Sequence, residues 1–159
     1  MNTSCGATHR VLSGGLMQTN RHTNHIGKRE DLNNLFVRSS WEANYARYLN
    51  WLVGLGEIKS WEYEPEEFEF KTIKKGNRFY IPDFKVTNND GSIEYHEVKG
   101  YMDADSKTKL KRMAKYYPEI KLVLIDKPVY LELHKQLKNL IPNWESPTKE
   151  NQKALGNNQ

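Results

Sequence analysis

The chain reads as an α/β protein with a mixed central β-sheet flanked by helices on both faces. Three observations predict this. A helical apolar stripe comes first, at residues 40–53. Short strand-like segments follow, with a strong turn at Asn89-Asp90-Gly91. A helical segment, a brief apolar run and another helical segment close the pattern.

Taken in order, residues 1–36 are polar and rich in Gly, Asn, Thr and His, without sustained periodicity. They read as a flexible polar arm. In residues 40–53, Trp41, Tyr45, Tyr48, Leu49 and Leu52 fall at the spacings of one buried helical stripe. Gly54 and Gly56 offer its end. Strands are expected at 58–63 (resuming at 68–72), 78–87 and 92–99. Residues 103–117 suit a second helix, with Leu110, Met113, Ala114 and Tyr117 on its apolar side and Pro118 as its stop. The run 121–125 is almost wholly apolar, as a central strand would be, and 129–141 suits a last helix. The core therefore spans 37–144, followed by a polar tail at 145–159.

The bulk numbers narrow the function classes. A chain of 159 residues suits one domain with a real core. No apolar run approaches the ~18–20 residues of a membrane span, and the first residues lack the apolar stretch of a secretory signal. No membrane partner and a cytoplasmic location are the expectations. One cysteine, Cys5, rules out an internal disulfide framework. The net charge of +4 permits a nucleic-acid partner without requiring one.

The chemistry concentrates around one hairpin. Asp83 lies in Tyr80-Ile81-Pro82-Asp83-Phe84, and Glu97 and Lys99 lie in His96-Glu97-Val98-Lys99-Gly100. A three-residue hairpin loop takes Gly at its last, left-handed position. With Gly91 there, Asn88 pairs with Ser92, and Asp83 falls opposite Glu97. Cross-strand partners share a face, with Cβ atoms about 4.5–5.5 Å apart. Lys99, two residues on, shares that face too. A two- or four-residue loop would instead oppose Asp83 to Val98 or His96. Two carboxylates that close repel unless a cation lies between them, and such oxygens suit Mg²⁺ or Mn²⁺. The alternative is a surface hairpin of ordinary alternating charges.

At these residues the chain resembles the PD-(D/E)XK nuclease superfamily, through Pro82-Asp83 and Glu97-Val98-Lys99, with Arg38-Ser39-Ser40-Trp41-Glu42 ahead of them. The order is similar to that of small phage endonucleases of the Holliday-junction-resolving endonuclease I type, and of end-cleaving subunits of heteromeric transposases. The resemblance covers roughly residues 36–125. It implies a restriction-endonuclease-like core and a metal-dependent endodeoxyribonuclease, phage- or mobile-element-encoded, acting in the host cytoplasm on branched DNA or in DNA processing. It implies metal ligation by Asp83, Glu97 and the main-chain carbonyl of Val98, a catalytic role for Lys99, and a supporting metal or water contact for Glu42. DNA is the implied partner, with a homodimer or a phage or transposition protein as further ones. A catalytically silent DNA-binding or assembly subunit on the same fold is the competing expectation.

Glu42 has a structural reading beside the catalytic one, because Ser39-x-x-Glu42 is also a helix capping box. Lys107, Lys111 and Lys115, with Lys109 and Arg112 nearby, are candidates for phosphate contacts, as is Arg38. A solvated helix face explains the lysines nearly as well. Arg29 and Asp31 are weaker candidates. Cys5, His9, His22 and His25 do not follow a familiar zinc-finger spacing. His96 should point away from Glu97 and be structural. Trp41, Trp51 and Trp61 should build the core.

Overall fold

The computed structural model describes residues 26–146. Its centre is a four-stranded mixed sheet in the order β3-β6-β7-β8, with β3 Ser60–Tyr63, β6 Phe84–Thr87, β7 Ile93–Val98 and β8 Leu122–Ile125. The first three strands run antiparallel to their neighbours, and β8 pairs parallel to β7. Helix α1, Ser40–Leu55, and helix α3, Lys127–Leu137, pack on one face. Helix α2, Ala104–Tyr116, covers the other face together with a two-stranded ribbon, β4 Phe68–Glu69 and β5 Phe79–Tyr80. The α/β class with helices on both faces is what is observed. No helix among the described residues is long and apolar enough to cross a membrane.

Strand alternation feeds two cores. Phe84, Val86 and Val98 point to the α1 side and meet Ala43, Tyr45, Ala46, Leu49 and Tyr130. Tyr95 points to the other side and meets Phe68, Phe70, Tyr80 and Met113. Phe84 is fully buried between Tyr45, Trp61 and Tyr63. Removing such a ring typically costs about 3–5 kcal/mol. Helix α1 starts at Ser39, whose hydroxyl oxygen accepts from the Glu42 N–H at 3.1 Å. It ends at Gly56, whose φ of 73° suits the glycine preference of a left-handed cap.

The fold departs from expectation in six places. The folded part begins earlier than residue 37. Strands β1, Gly27–Arg29, and β2, Leu35–Val37, form a hairpin around a short 3-10 turn, Glu30–Leu32. Leu32 and Val37 are buried against α1. Only two or three apolar residues anchor this hairpin, too few to show periodicity. Its remaining anchors are polar and distant: Arg47 Nε donates to Asp31 at 2.7 Å, and Arg29 Nε donates to Glu145 at 2.6 Å. Glu145 is thereby fixed to the core rather than opening a tail, and Asn44 Nδ2 also donates to its carbonyl at 2.8 Å. The run 78–87 is broken into β5 and β6 at Ile81–Asp83, where Pro82 cannot continue a ladder. Strand β8 lies at the sheet edge, not its centre. Its residues are apolar because helices cover both faces of that edge, with Leu122 entering one core and Ile125 the other. The last helix sits earlier, at Lys127–Leu137, capped by Asp126. Finally, Trp51 is partly exposed, whereas Trp41 and Trp61 pack on the core. Cys5, His9, His22 and His25 lie outside the described residues.

Candidate active site

The hairpin register is the one that a three-residue loop dictates. Phe84 pairs with His96 and Thr87 with Ile93, and the Asn88 N–H donates to the Ser92 carbonyl at 2.8 Å. Gly91 has φ of 85°, the left-handed conformation required at that loop position. Asp90 reinforces the turn by accepting from the Ser92 N–H at 2.8 Å. Continuing the ladder by one pair sets Asp83 across from Glu97, as the turn argument required.

Asp83 itself stands just before β6, and two bonds hold it. Its carbonyl accepts from the Glu64 N–H at 2.8 Å. Its carboxylate accepts from the Val98 N–H at 2.8 Å. In an extended strand the N–H and C=O of one residue point to the same side, so the Val98 carbonyl is turned toward Asp83 as well. Glu97 is held by the Tyr80 hydroxyl, which donates to it at 2.9 Å, and by Lys99, whose Nζ lies 3.3 Å from Oε1. Both carboxylates are buried, while Lys99 is about a third exposed. Burial, then the neighbouring charge of Glu97, pushes the Asp83 carboxyl up to about 8. Burial and Glu97 likewise push the Tyr80 hydroxyl up, so it remains a donor.

These groups line a cleft together with Arg38, Ile81, Met102, Ser106 and Lys109. Arg38, Asp83, Glu97 and Lys99 are therefore brought together as expected. Lys107, Lys111 and Lys115 are exposed, and none lines the cleft. The α2 lysine that does line it is Lys109. Sequence reasoning missed Tyr80. Its position three residues before Asp83 would have identified it only if the break at Pro82 had been foreseen.

Glu42 is occupied by protein donors. It accepts from the Arg38 N–H at 3.0 Å, the Ser39 hydroxyl at 2.9 Å and the Tyr63 hydroxyl at 2.6 Å. The Ser39 half of the capping box is formed, whereas the Glu42 carboxylate takes the N–H of Arg38, one residue before the cap, and it reaches Asp83 only through its charge. Arg38 in turn pairs with Glu64. His96 points to the α1 face, where its Nδ1 lies 2.8 Å from the Tyr45 hydroxyl. Directly after Lys99, a Cβ on Gly100 would sit 3.4 Å from the Trp41 ring, which itself stacks on Tyr130 at 3.8 Å.

Among the described residues, no three His, Cys, Asp or Glu side chains are grouped closely enough to hold a metal ion. The donor set is narrower: two adjoining carboxylates and one main-chain carbonyl. It fits a hard divalent cation that keeps several of its waters, as Mg²⁺ does. Burial first, and the Glu97 charge second, raise the Asp83 proton affinity; a cation would offset the second of these.

No curated protein and no solved structure matches the chain. A family model matches residues 25–132, more than half of the chain, spanning every element from β1 into α3. On that match the chain belongs to the DUF1064 family, described as a protein of unknown function.

Proposed function

We propose that this protein is a metal-dependent DNA endonuclease of the PD-(D/E)XK type with a restriction-endonuclease-like core. Branched or recombining DNA, or DNA being processed in a phage or mobile element, is the proposed substrate. The observation that carries the reading is Asp83 held in register with Glu97 beside Lys99, in a cleft with a cationic rim. Asp83, Glu97 and the Val98 carbonyl would hold Mg²⁺ or Mn²⁺. When bound, the ion supplies Lewis acidity toward a phosphoryl oxygen and a more acidic water.

The chain's own groups do the rest. Val98 N–H and Tyr80 fix the two carboxylates in orientation. The Lys99 ammonium, already next to Glu97, orients the attacking water or offsets charge growing on the phosphate. Arg38 and Lys109 supply positive charge at the rim, where neighbouring phosphates would lie.

One observation favours a second reading. Glu42, which the resemblance assigns to the metal or water, already accepts from three protein donors. A DNA-binding or assembly subunit without cleavage activity would tolerate that. One experiment separates the two. Supercoiled, linear, single-stranded and four-way-junction DNA would be incubated with Mg²⁺ or Mn²⁺ and wild type, Asp83→Ala or Lys99→Ala. Cleavage lost in both variants supports the nuclease. DNA binding without cleavage of any substrate supports the silent subunit. Cleavage that appears only when a transposition protein is added supports a partner-dependent nuclease subunit.

A further inference from the structure

The β4–β5 ribbon carries a concentration of charge that the cleft does not use. Between Phe70 and Phe79 the chain has Lys71, Lys74, Lys75 and Arg78 and no acidic residue. The Phe70 N–H donates to the Arg78 carbonyl at 2.8 Å, closing this segment into a loop. Lys71, Lys74 and Lys75 are exposed, and none forms an ion pair with a described residue. The acids beside the loop are engaged by its other residues rather than by these lysines. Glu69 pairs with Arg78, and Asp105 accepts from Asn77 Nδ2 at 3.2 Å.

The loop is fixed to α2. Besides Asn77 and Asp105, Arg112 donates to the Asn77 carbonyl, and the Thr72 and Tyr116 hydroxyls are hydrogen-bonded. Asp105, Arg112 and Tyr116 thus mark the side of α2 that faces the loop. Ser106 and Leu110 mark the side that faces the cleft. At about 100° per residue, Lys109 lies between those two sides. Lys107, Lys111 and Lys115 fall on the far side of the helix. Lys109 makes no ion pair with a described residue, although it lines the cleft.

We propose that the β4–β5 loop and Lys109 form one track for the backbone of double-stranded DNA, leading it into the cleft, and that the lysine stripe of α2 takes no part. The proposal rests on the nuclease reading for its substrate. Ammonium groups without protein partners are those whose phosphate contacts release counterions at least cost. The anchoring of the loop on α2 holds them in fixed relation to Asp83 and Glu97.

The test measures binding of a labelled DNA duplex to the full chain across salt concentrations, with Ca²⁺ present, and cleavage in Mg²⁺. The variants are Lys74→Ala/Lys75→Ala, Lys109→Ala and Lys107→Ala/Lys111→Ala/Lys115→Ala, each checked for wild-type melting. Every lost phosphate contact should lower the slope of log affinity against log salt by about 0.9. The loop variant should therefore lose nearly two units of slope and roughly tenfold in affinity. Lys109→Ala should lose about one unit and raise KM more than it lowers kcat. The stripe variant should stay within about twofold of wild type. Cleaving protein whose loop variant binds normally, or whose stripe variant binds as poorly as the loop variant, overturns the track and leaves the nuclease standing. Loop-dependent binding without cleavage retains the track and removes the nuclease. Absence of duplex binding by wild type overturns both.

Discussion

The Tyr80 hydroxyl donates to Glu97 at 2.9 Å, from the last residue of a strand that Pro82 then interrupts. The interruption swings the chain between two sheets. Tyr80 belongs to the ribbon on the α2 side, and Asp83 enters the central sheet three residues later. One short segment therefore supplies both a candidate ligand and the hydroxyl that orients the other one. Tyr80→Phe should keep the fold, since the ring packs in the α2-side core. Losing a hydrogen bond to a charged group should cost about 1–3 kcal/mol. Cleavage should fall with a raised metal requirement, read by Mg²⁺ titration of the rate. An unchanged titration would show that Glu97 orients without Tyr80.

Asp83→Asn separates charge from shape. In wild type two buried carboxylates adjoin, and burial with Glu97 raises the proton affinity of Asp83. Asparagine is nearly isosteric and carries no charge. Without metal, Asp83→Asn should be at least as stable as wild type by thermal melting. With Mg²⁺ or Mn²⁺, wild type should gain stability through linkage and the variant should not. A variant that gains as much as wild type would place the metal elsewhere.

Glu42 is a case in which structure narrows what sequence left open. Its carboxylate accepts from Arg38, Ser39 and Tyr63. Glu42→Ala should destabilise by about 1–2 kcal/mol, the usual range for a lost cap contact. Glu42→Gln should retain most of that stability and lose far less cleavage than Asp83→Asn. Equal loss of cleavage in the two, with the Gln variant still fully folded, would return Glu42 to the metal site.

The site was legible where local rules decide it. Asn89-Asp90-Gly91 dictates a loop length, the loop dictates a register, and the register places Asp83 across from Glu97. Ser39 and Gly56 mark the limits of α1 in the same local way. What was not legible depends on partners far along the chain. Arg29, Asp31 and Glu145 look like parts of polar tails until Arg47, buried in α1, is seen to join them. The lysines of α2 could be grouped by helical spacing, but only the ribbon packed against that helix tells which side faces the cleft. An apolar strand such as β8 reads alike at the centre or at a covered edge.

Gly91 gives the register argument its own test. Its φ of 85° is strained for any residue with a Cβ, while nothing lies within 4 Å of where that Cβ would be. The cost of Gly91→Ala is therefore purely conformational, about 1–2 kcal/mol. Cleavage at low temperature should persist, because the loop length is unchanged. Deleting Asn89 instead shortens the loop and shifts the pairing by one residue, which turns every later side chain to the opposite face. Cleavage should then vanish even in whatever fraction remains folded. Activity in a folded deletion variant would mean that the turn does not set the site.

The network joining the first hairpin to α1 predicts the response to acid. Hydrogen bonding from Arg47 holds the Asp31 carboxyl below its ordinary value. Burial alone would raise Glu145, but Arg29 and Arg47 hold it below its ordinary value too. Both folded-state values are thus lower than the unfolded ones. The stability they contribute is complete above the unfolded carboxylate range near pH 4. It is lost as pH falls through the lower, folded-state values. Melting temperature measured from neutral pH downward should drop most steeply below about pH 4. Replacing Asp31 and Glu145 by Asn and Gln should lower stability at neutral pH and flatten that drop. Arg47→Ala should cost more, about 1–3 kcal/mol, because it removes the buried guanidinium that joins Asp31 to Glu145 together with the packing of its stem. Its loss should also release the first hairpin, read as faster amide exchange in β1 and β2 than in β6 and β7. Uniform exchange across all four strands would show that apolar packing of Leu32 and Val37, rather than the ion network, holds that hairpin in place.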